Sequence, residues 1–230
     1  MIIDMSNVAK YIFWLKKDLI PKNKRIGVVI SGGFDSTILW HTIYGECLEN
    51  NQVCIPFTVP KVDGAFTYAN RMLEWSCKEY GVKQKHTWKI GNVDWYRDQG
   101  TDPFQGEEVM NQLRLGIKEI LEEDYVDIVF VGTNPYPPNY ETLCSYHTPA
   151  PRNETNNTPW QDIVKQPFQD LGMTKEQLVL LAREYKILKQ VSEITHSCVE
   201  NIRGRCGECF WCKEREWAFG EVGEVDYGTA

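Results

Sequence analysis

The run Ser31-Gly32-Gly33-Phe34-Asp35-Ser36-Thr37 sets two glycines, one carboxylate and three hydroxyls side by side, directly after the apolar stretch "RIGVVI". That order reads as a buried strand, a glycine joint and the start of a helix. Glycine admits positive φ and lets a ligand approach the backbone closely. The helix that follows turns its free N–H groups and positive dipole end toward the joint. Ser31, Ser36 and Thr37 add hydroxyl donors, so the chemistry this run suits is a phosphate cradle. Asp35 repels phosphate unless a cation lies between them, and Mg²⁺ carried by a nucleotide is such a cation. A Walker A loop needs a lysine that is missing here, and neither G-x-G-x-x-G nor G-x-S-x-G is present. A plain glycine turn with Asp35 or Ser36 as helix cap is the simpler alternative, but it leaves the rest of the cluster unexplained.

A second constellation lies near the C-terminus. Cys198, Cys206, Cys209 and Cys212 follow the spacing C-x7-C-x2-C-x2-C, with Gly204 and Gly207 on either side of Cys206. Four thiolates at such spacing suit a closed structural Zn²⁺ site. An iron–sulfur cluster is the competing reading, but the expected downstream cysteine followed by proline is missing. A tetrathiolate zinc site is formally −2, and Arg203, Arg205, Lys213 and Arg215 are near enough in sequence to balance it. Cys47, Cys54, Cys77 and Cys144 are scattered and read as inert core thiols.

The elements that position these residues alternate. Residues 8–20 read as an amphipathic helix, 36–49 as a helix, "QVCIPFTVP" as a strand and "FTYANRMLEWSCKEYG" as a helix with Gly81 at its C-cap. "QKHTWKI" reads as a third strand, residues 106–123 as a strong amphipathic helix and "VDIVFVGTN" as a fourth buried strand. Alternation of this kind predicts an α/β, Rossmann-like parallel sheet with helices on both faces. Residues 134–163 hold prolines, Asn and Thr without periodicity and read as a long loop. Thr174 and Gln177 predict a capping box, and Leu178, Leu181, Ala182 and Tyr185 form one apolar stripe. The last dozen residues read as a fraying tail. The expected division is residues 1–190 as a nucleotide-binding domain, with 191–230 as a metal-binding segment packed on it.

The 230 residues are 42% hydrophobic with a net charge of −7. That balance argues against a broad phosphate-neutralising surface and hence against bulk nucleic acid as a partner. No stretch approaches a membrane span and no signal peptide is seen, so the expected location is cytoplasmic with no membrane partner.

"SGGFDST" resembles the S-G-G-x-D-S signature of the PP-loop ATP pyrophosphatases. The resemblance implies that the loop holds the β,γ-pyrophosphate of ATP with Mg²⁺ while a substrate oxygen attacks the α-phosphate. Ser31, Gly32, Gly33, Asp35, Ser36 and Thr37 would then bind ATP. Within that superfamily, Thr174-Lys175, Thr195-His196-Ser197-Cys198, the C-G-x-C-x-x-C of Cys206–Cys212 and the run Arg215–Phe219 are similar to the 7-cyano-7-deazaguanine synthase family (QueC). Gly132-Thr133-Asn134 matches that family's G-x-N, so Gly132 and Asn134 join the nucleotide-binding candidates. Asp35, Ser36 and Lys175 are the catalytic candidates. The family turns 7-carboxy-7-deazaguanine into its nitrile with ATP and ammonia, on the route to queuosine. Its zinc is structural, and it admits a homodimer. The middle of this chain departs from the pattern: "TVPKVDGAFTYANRM" lacks the family's Gln-basic-His trio, "DPFQGEEVMNQ" stands where V-P-x-R-N is expected, and "NPYPPNYETLC" replaces G-Y-P-D-C. Asn134, Tyr136, Tyr140 and Arg152 are the loop residues offered for substrate contact. Two alternatives stay open: a PP-loop ligase or thiolase for another acid or a tRNA base, and a non-catalytic zinc-knuckle binding protein.

Overall fold

Strand β1, Ile26–Val29, lies at the centre of the sheet because every one of its residues is apolar or glycine and is buried. The computed structural model describes residues 5–15, 20–60, 63–81, 86–91, 106–144 and 162–228. In those residues β1 pairs in parallel with β2, Cys54–Thr58, and with β4, Ile128–Val131. Outside these lie β3, Trp88–Lys89, and β5, Val164–Lys165, giving the order β3-β2-β1-β4-β5. All pairings are parallel, so helical crossovers must cover the sheet.

Alternation along the strands divides the core in two. Ile26, Val28, Ile128 and Phe130 face one cluster with Ile38, Leu39 and Trp40 of helix α2, Phe34–Glu49. Helices α1, Ser6–Leu15, and α3, Ala65–Tyr80, contribute to the same side. Val29, Val129 and Val131 face the other cluster, closed by Ile117 and Ile120 of α4, Gly106–Glu122. The Rossmann-like sheet with helices on both faces is therefore borne out. Gly81 ends α3 in the left-handed region at φ 67°, as its position predicts.

The second half holds the surprises. After α5, Tyr140–Leu143, come β5 and α6, Pro167–Asp170. Residues 145–161 of the long loop lie outside the described part. A two-residue strand has no period to read, so β5 was invisible in the sequence. Helix α7, Lys175–Glu184, stops at Tyr185, Lys186 takes φ 61°, and α8, Leu188–Ile194, begins. The capping box expected of Thr174 and Gln177 does not form. The Thr174 hydroxyl bonds the Glu176 carboxylate, and the Gln177 side chain instead accepts from Asn7 of α1 at 3.5 Å. Helix α9, Phe210–Glu221, starts inside the cysteine cluster with Cys209 at its N-cap.

Candidate functional site

The loop between β1 and α2 sits where the strand order reverses, beside the loop that follows β4. In open α/β sheets this crevice at the carboxyl ends of the strands is where ligands bind. Gly32 takes φ 73°, and a Cβ there would lie 2.4 Å from the Tyr68 backbone of α3. Only glycine fits. The N-cap of α2 is Gly33 and it has no side-chain cap, so the cap explanation for Asp35 or Ser36 fails. The hydroxyls build the loop itself. Ser31 N–H donates to Ser36 Oγ at 3.1 Å, Gly33 N–H donates to Ser31 Oγ at 3.3 Å, and Ser36 Oγ donates to Gly33 O at 3.2 Å. Thr37 is fully buried and its Oγ1 donates to Gly33 O at 2.8 Å, so it braces the turn from behind. Gly132 packs from the other side, where a Cβ would stand 3.0 Å from Ser36 Cα. Asn134, two residues on, is 2% exposed.

Asp35, in the first turn of α2, meets a cation that belongs to the protein. Lys175 Nζ lies 3.3 Å from Asp35 Oδ2 and 2.6 Å from Glu214 Oε2. The three side chains are 18%, 3% and 0% exposed, in the order Asp35, Lys175, Glu214. Charges so buried persist only when paired. Lys175 comes from the N-terminus of α7, and Glu214 comes from α9. Glu214 carries no family motif, and no period or spacing singles it out.

Cys198, Cys206, Cys209 and Cys212 converge, with their Sγ atoms all within 4.8 Å of one another. Four thiolates around one Zn²⁺ stand about 3.8 Å apart, given Zn–S bonds of about 2.3 Å in a tetrahedron. The set therefore fits a metal ion with little adjustment. The Cys212 thiol bonds Cys209 and lowers it, while Cys212 is raised in return. The Cys206 Sγ accepts from the N–H groups of Glu208 and Cys209, and that of Cys198 from Asn201 and Cys206, as in metal knuckles.

The cluster is tied to the glycine loop. His196 N–H, two residues before Cys198, donates to Gly32 O at 3.0 Å. Its ring stacks on Tyr68 with centroids 4.2 Å apart, and Tyr68 Oη donates to Ile202 O at 2.7 Å. Burial holds the His196 imidazole below its ordinary pKa. Arg215, fully buried, fastens the same segment: it donates to Ser192 O, Thr195 O and Thr195 Oγ1. Arg215 and Arg205 both pair with Asp226, at 2.8 and 2.6 Å. This corrects one expectation: the C-terminal segment is anchored rather than frayed, because Asp226 pairs with both Arg205 and Arg215.

The structure thus brings Ser31, Gly32, Gly33, Asp35, Ser36, Gly132 and Lys175 together, with Asn134 buried two residues beyond Gly132. The four cysteines lie one hydrogen-bonded step away. Tyr136 and Tyr140 stack on each other at 5.1 Å, and Tyr136 meets the buried Phe210 edge-on. Arg152 lies outside the described residues. Phe210 and Trp211 meet edge-on at 5.9 Å, and Trp211 packs on the cysteine cluster.

The parallel-sheet α/β fold is shared with known proteins. NMN synthetase from Francisella tularensis matches at a TM-score of 0.51 and 13% identity, over 97% of this chain and 88% of that one. The NH3-dependent NAD synthetase of Campylobacter jejuni matches at 0.48 and 13% identity, over 82% and 76%. The U34-tRNA thiolase NcsA of Methanococcus maripaludis, which carries a 4Fe-4S cluster, matches at 0.46 and 15% identity, over 95% and 80%. The comparison of folds rests on the first of these. In sequence, residues 137–223 match the family described as queuosine biosynthesis protein QueC. No curated protein matches the chain. The resemblance to QueC is thus matched over residues 137–223, and the fold is shared with NMN synthetase.

Proposed function

We propose that this chain is an ATP-dependent ligase that activates the carboxylate of 7-carboxy-7-deazaguanine and adds ammonia. The observation that carries it is the glycine loop at the reversal of strand order, with Asp35 and Lys175 on it and the QueC-matching segment bonded to it through His196. The backbone N–H groups of the loop and α2 receive the β,γ-phosphates of ATP. The acid's oxygen attacks the α-phosphorus, the bond to the β-phosphate oxygen breaks, and pyrophosphate leaves. Asp35 offers a partly exposed carboxylate for the Mg²⁺ that accompanies ATP, whose charge favours departure of pyrophosphate. Ammonia then attacks the acyl carbon, AMP leaves and a proton is released, giving the amide. A second round on the amide oxygen, with loss of AMP and a proton, gives the nitrile. Cys198, Cys206, Cys209 and Cys212 would hold a structural Zn²⁺.

A different acid as acceptor is the second reading, favoured by the departures in the middle of the chain. Incubation with Mg-ATP, ammonium and 7-carboxy-7-deazaguanine, followed by mass spectrometry of the base, separates them. Amide or nitrile is the expected product. Unchanged acid, from protein that binds Mg-ATP, would reassign the acceptor.

A further inference from the structure

The ion chain across the crevice contains one member that the proposed reaction does not use. Glu214 is 0% exposed and lies 2.6 Å from Lys175 Nζ, closer than Asp35 at 3.3 Å. Lys175 is one cation shared by two carboxylates, and the nearer carboxylate is the one that never meets solvent. Of the other charged groups nearby, Arg215 is bound to Asp226 and acts on Asp35 only through space, and Glu176 is bonded to Thr174. Without Glu214, the whole charge of Lys175 would fall on Asp35. That carboxylate would then be an internal ion pair and a poor ligand for a divalent cation.

We propose that Glu214 is a positioning residue that draws Lys175 back from Asp35 and so leaves the Asp35 carboxylate able to take a divalent cation beside a bound pyrophosphate group. This rests on reading the glycine loop as a pyrophosphate cradle. Asp35, Lys175 and Glu214 together carry a net charge of −1, which opposes anions that arrive without a cation. Glu214 thereby makes anion binding depend on the metal. Replacing it by a neutral group has opposite effects on two measurable affinities: the anion alone binds better, while the divalent cation binds worse. Removal of a purely structural buried contact does not have that signature. It weakens both.

The probe is inorganic pyrophosphate, with and without Mg²⁺, followed by calorimetry on the whole chain. In wild type, binding should strengthen with Mg²⁺ and lose that dependence in Asp35→Asn. In Glu214→Gln, pyrophosphate alone should bind on the order of tenfold tighter, and the Mg²⁺ concentration needed for half-maximal enhancement should rise on the order of tenfold, as expected for one unit charge at close range. In a Lys175→Met background, Glu214→Gln should change the Mg²⁺ requirement by about twofold or less, since the effect passes through Lys175. If the glutamine variant does not fold, Glu214→Asp serves. Its shorter reach loosens the hold on Lys175 and should shift both affinities in the same directions by less. Wild type that ignores Mg²⁺ or pyrophosphate would overturn the cradle itself. A wild type that behaves as expected, with position 214 variants that weaken both affinities or change neither, would overturn the role of Glu214 alone.

Discussion

Gly32 shows how a single residue type sets the site. Its φ of 73° and the 2.4 Å gap to the Tyr68 backbone exclude any side chain. Gly32→Ala adds about 1–3 kcal/mol of backbone strain before the clash is counted. For a chain of this size that lowers Tm by at least several degrees. Thermal denaturation should show the loss, and nucleotide binding should fall with it, because the carbonyl that His196 holds belongs to the same residue. Gly81→Ala is the control: it shares the positive φ but has nothing within 4 Å, so it should cost stability without touching nucleotide binding. The hydroxyls at this scale were legible only as a group. Ser31 and Ser36 line the turn, but Thr37 faces the backbone behind it, and spacing alone does not tell these apart.

At the scale of elements, the alternation of apolar runs and amphipathic helices was enough to read the central strands, α2, α3 and α4. Each is long enough to show its period or its burial. What stayed hidden was short or held by tertiary partners: the two-residue β5, the break at Lys186, and a Thr174 cap replaced by a side-chain bond to Glu176. The cysteine spacing predicted the cluster but not its coupling to the loop, which depends on one backbone bond from His196 to Gly32. That coupling has a consequence. Stripping metal from the purified protein with a strong chelator should free the segment 196–212, lower Tm, and weaken ATP binding several-fold with Ser31–Thr37 unaltered. Retention of full ATP affinity after metal loss would show that the loop stands by itself.

Across the whole molecule, two ionic features set how stability answers to acid. Burial drives His41 down to about 4 from an ordinary 6.5. A base with a depressed folded pKa contributes stability that is complete above the unfolded value and declines as pH falls below it. Tm should therefore drop steadily between about pH 6.5 and 4. His41→Phe should flatten that slope, at the cost of the Tyr80 hydrogen bond at 2.8 Å. Burial alone would raise Asp226, but the bonds and charges of Arg205 and Arg215 together hold it below 3.8. Its contribution is present above that value and lost only in stronger acid. Asp226→Asn should lower Tm at neutral pH and reduce the acid loss below about pH 4. The same residue anchors the end of the chain to the segment that supports the glycine loop, so this variant also tests whether the C-terminal segment matters to the crevice. The proposed ligase chemistry turns on how ATP is cleaved. The most direct test follows the ³¹P spectrum of ATP incubated with Mg²⁺, ammonium and 7-carboxy-7-deazaguanine, for wild type and Asp35→Asn. AMP and pyrophosphate appearing with wild type only when the acid is present, and falling at least about a hundredfold in the variant, is the predicted result. ADP and phosphate as products, or equal cleavage by both proteins, would contradict it.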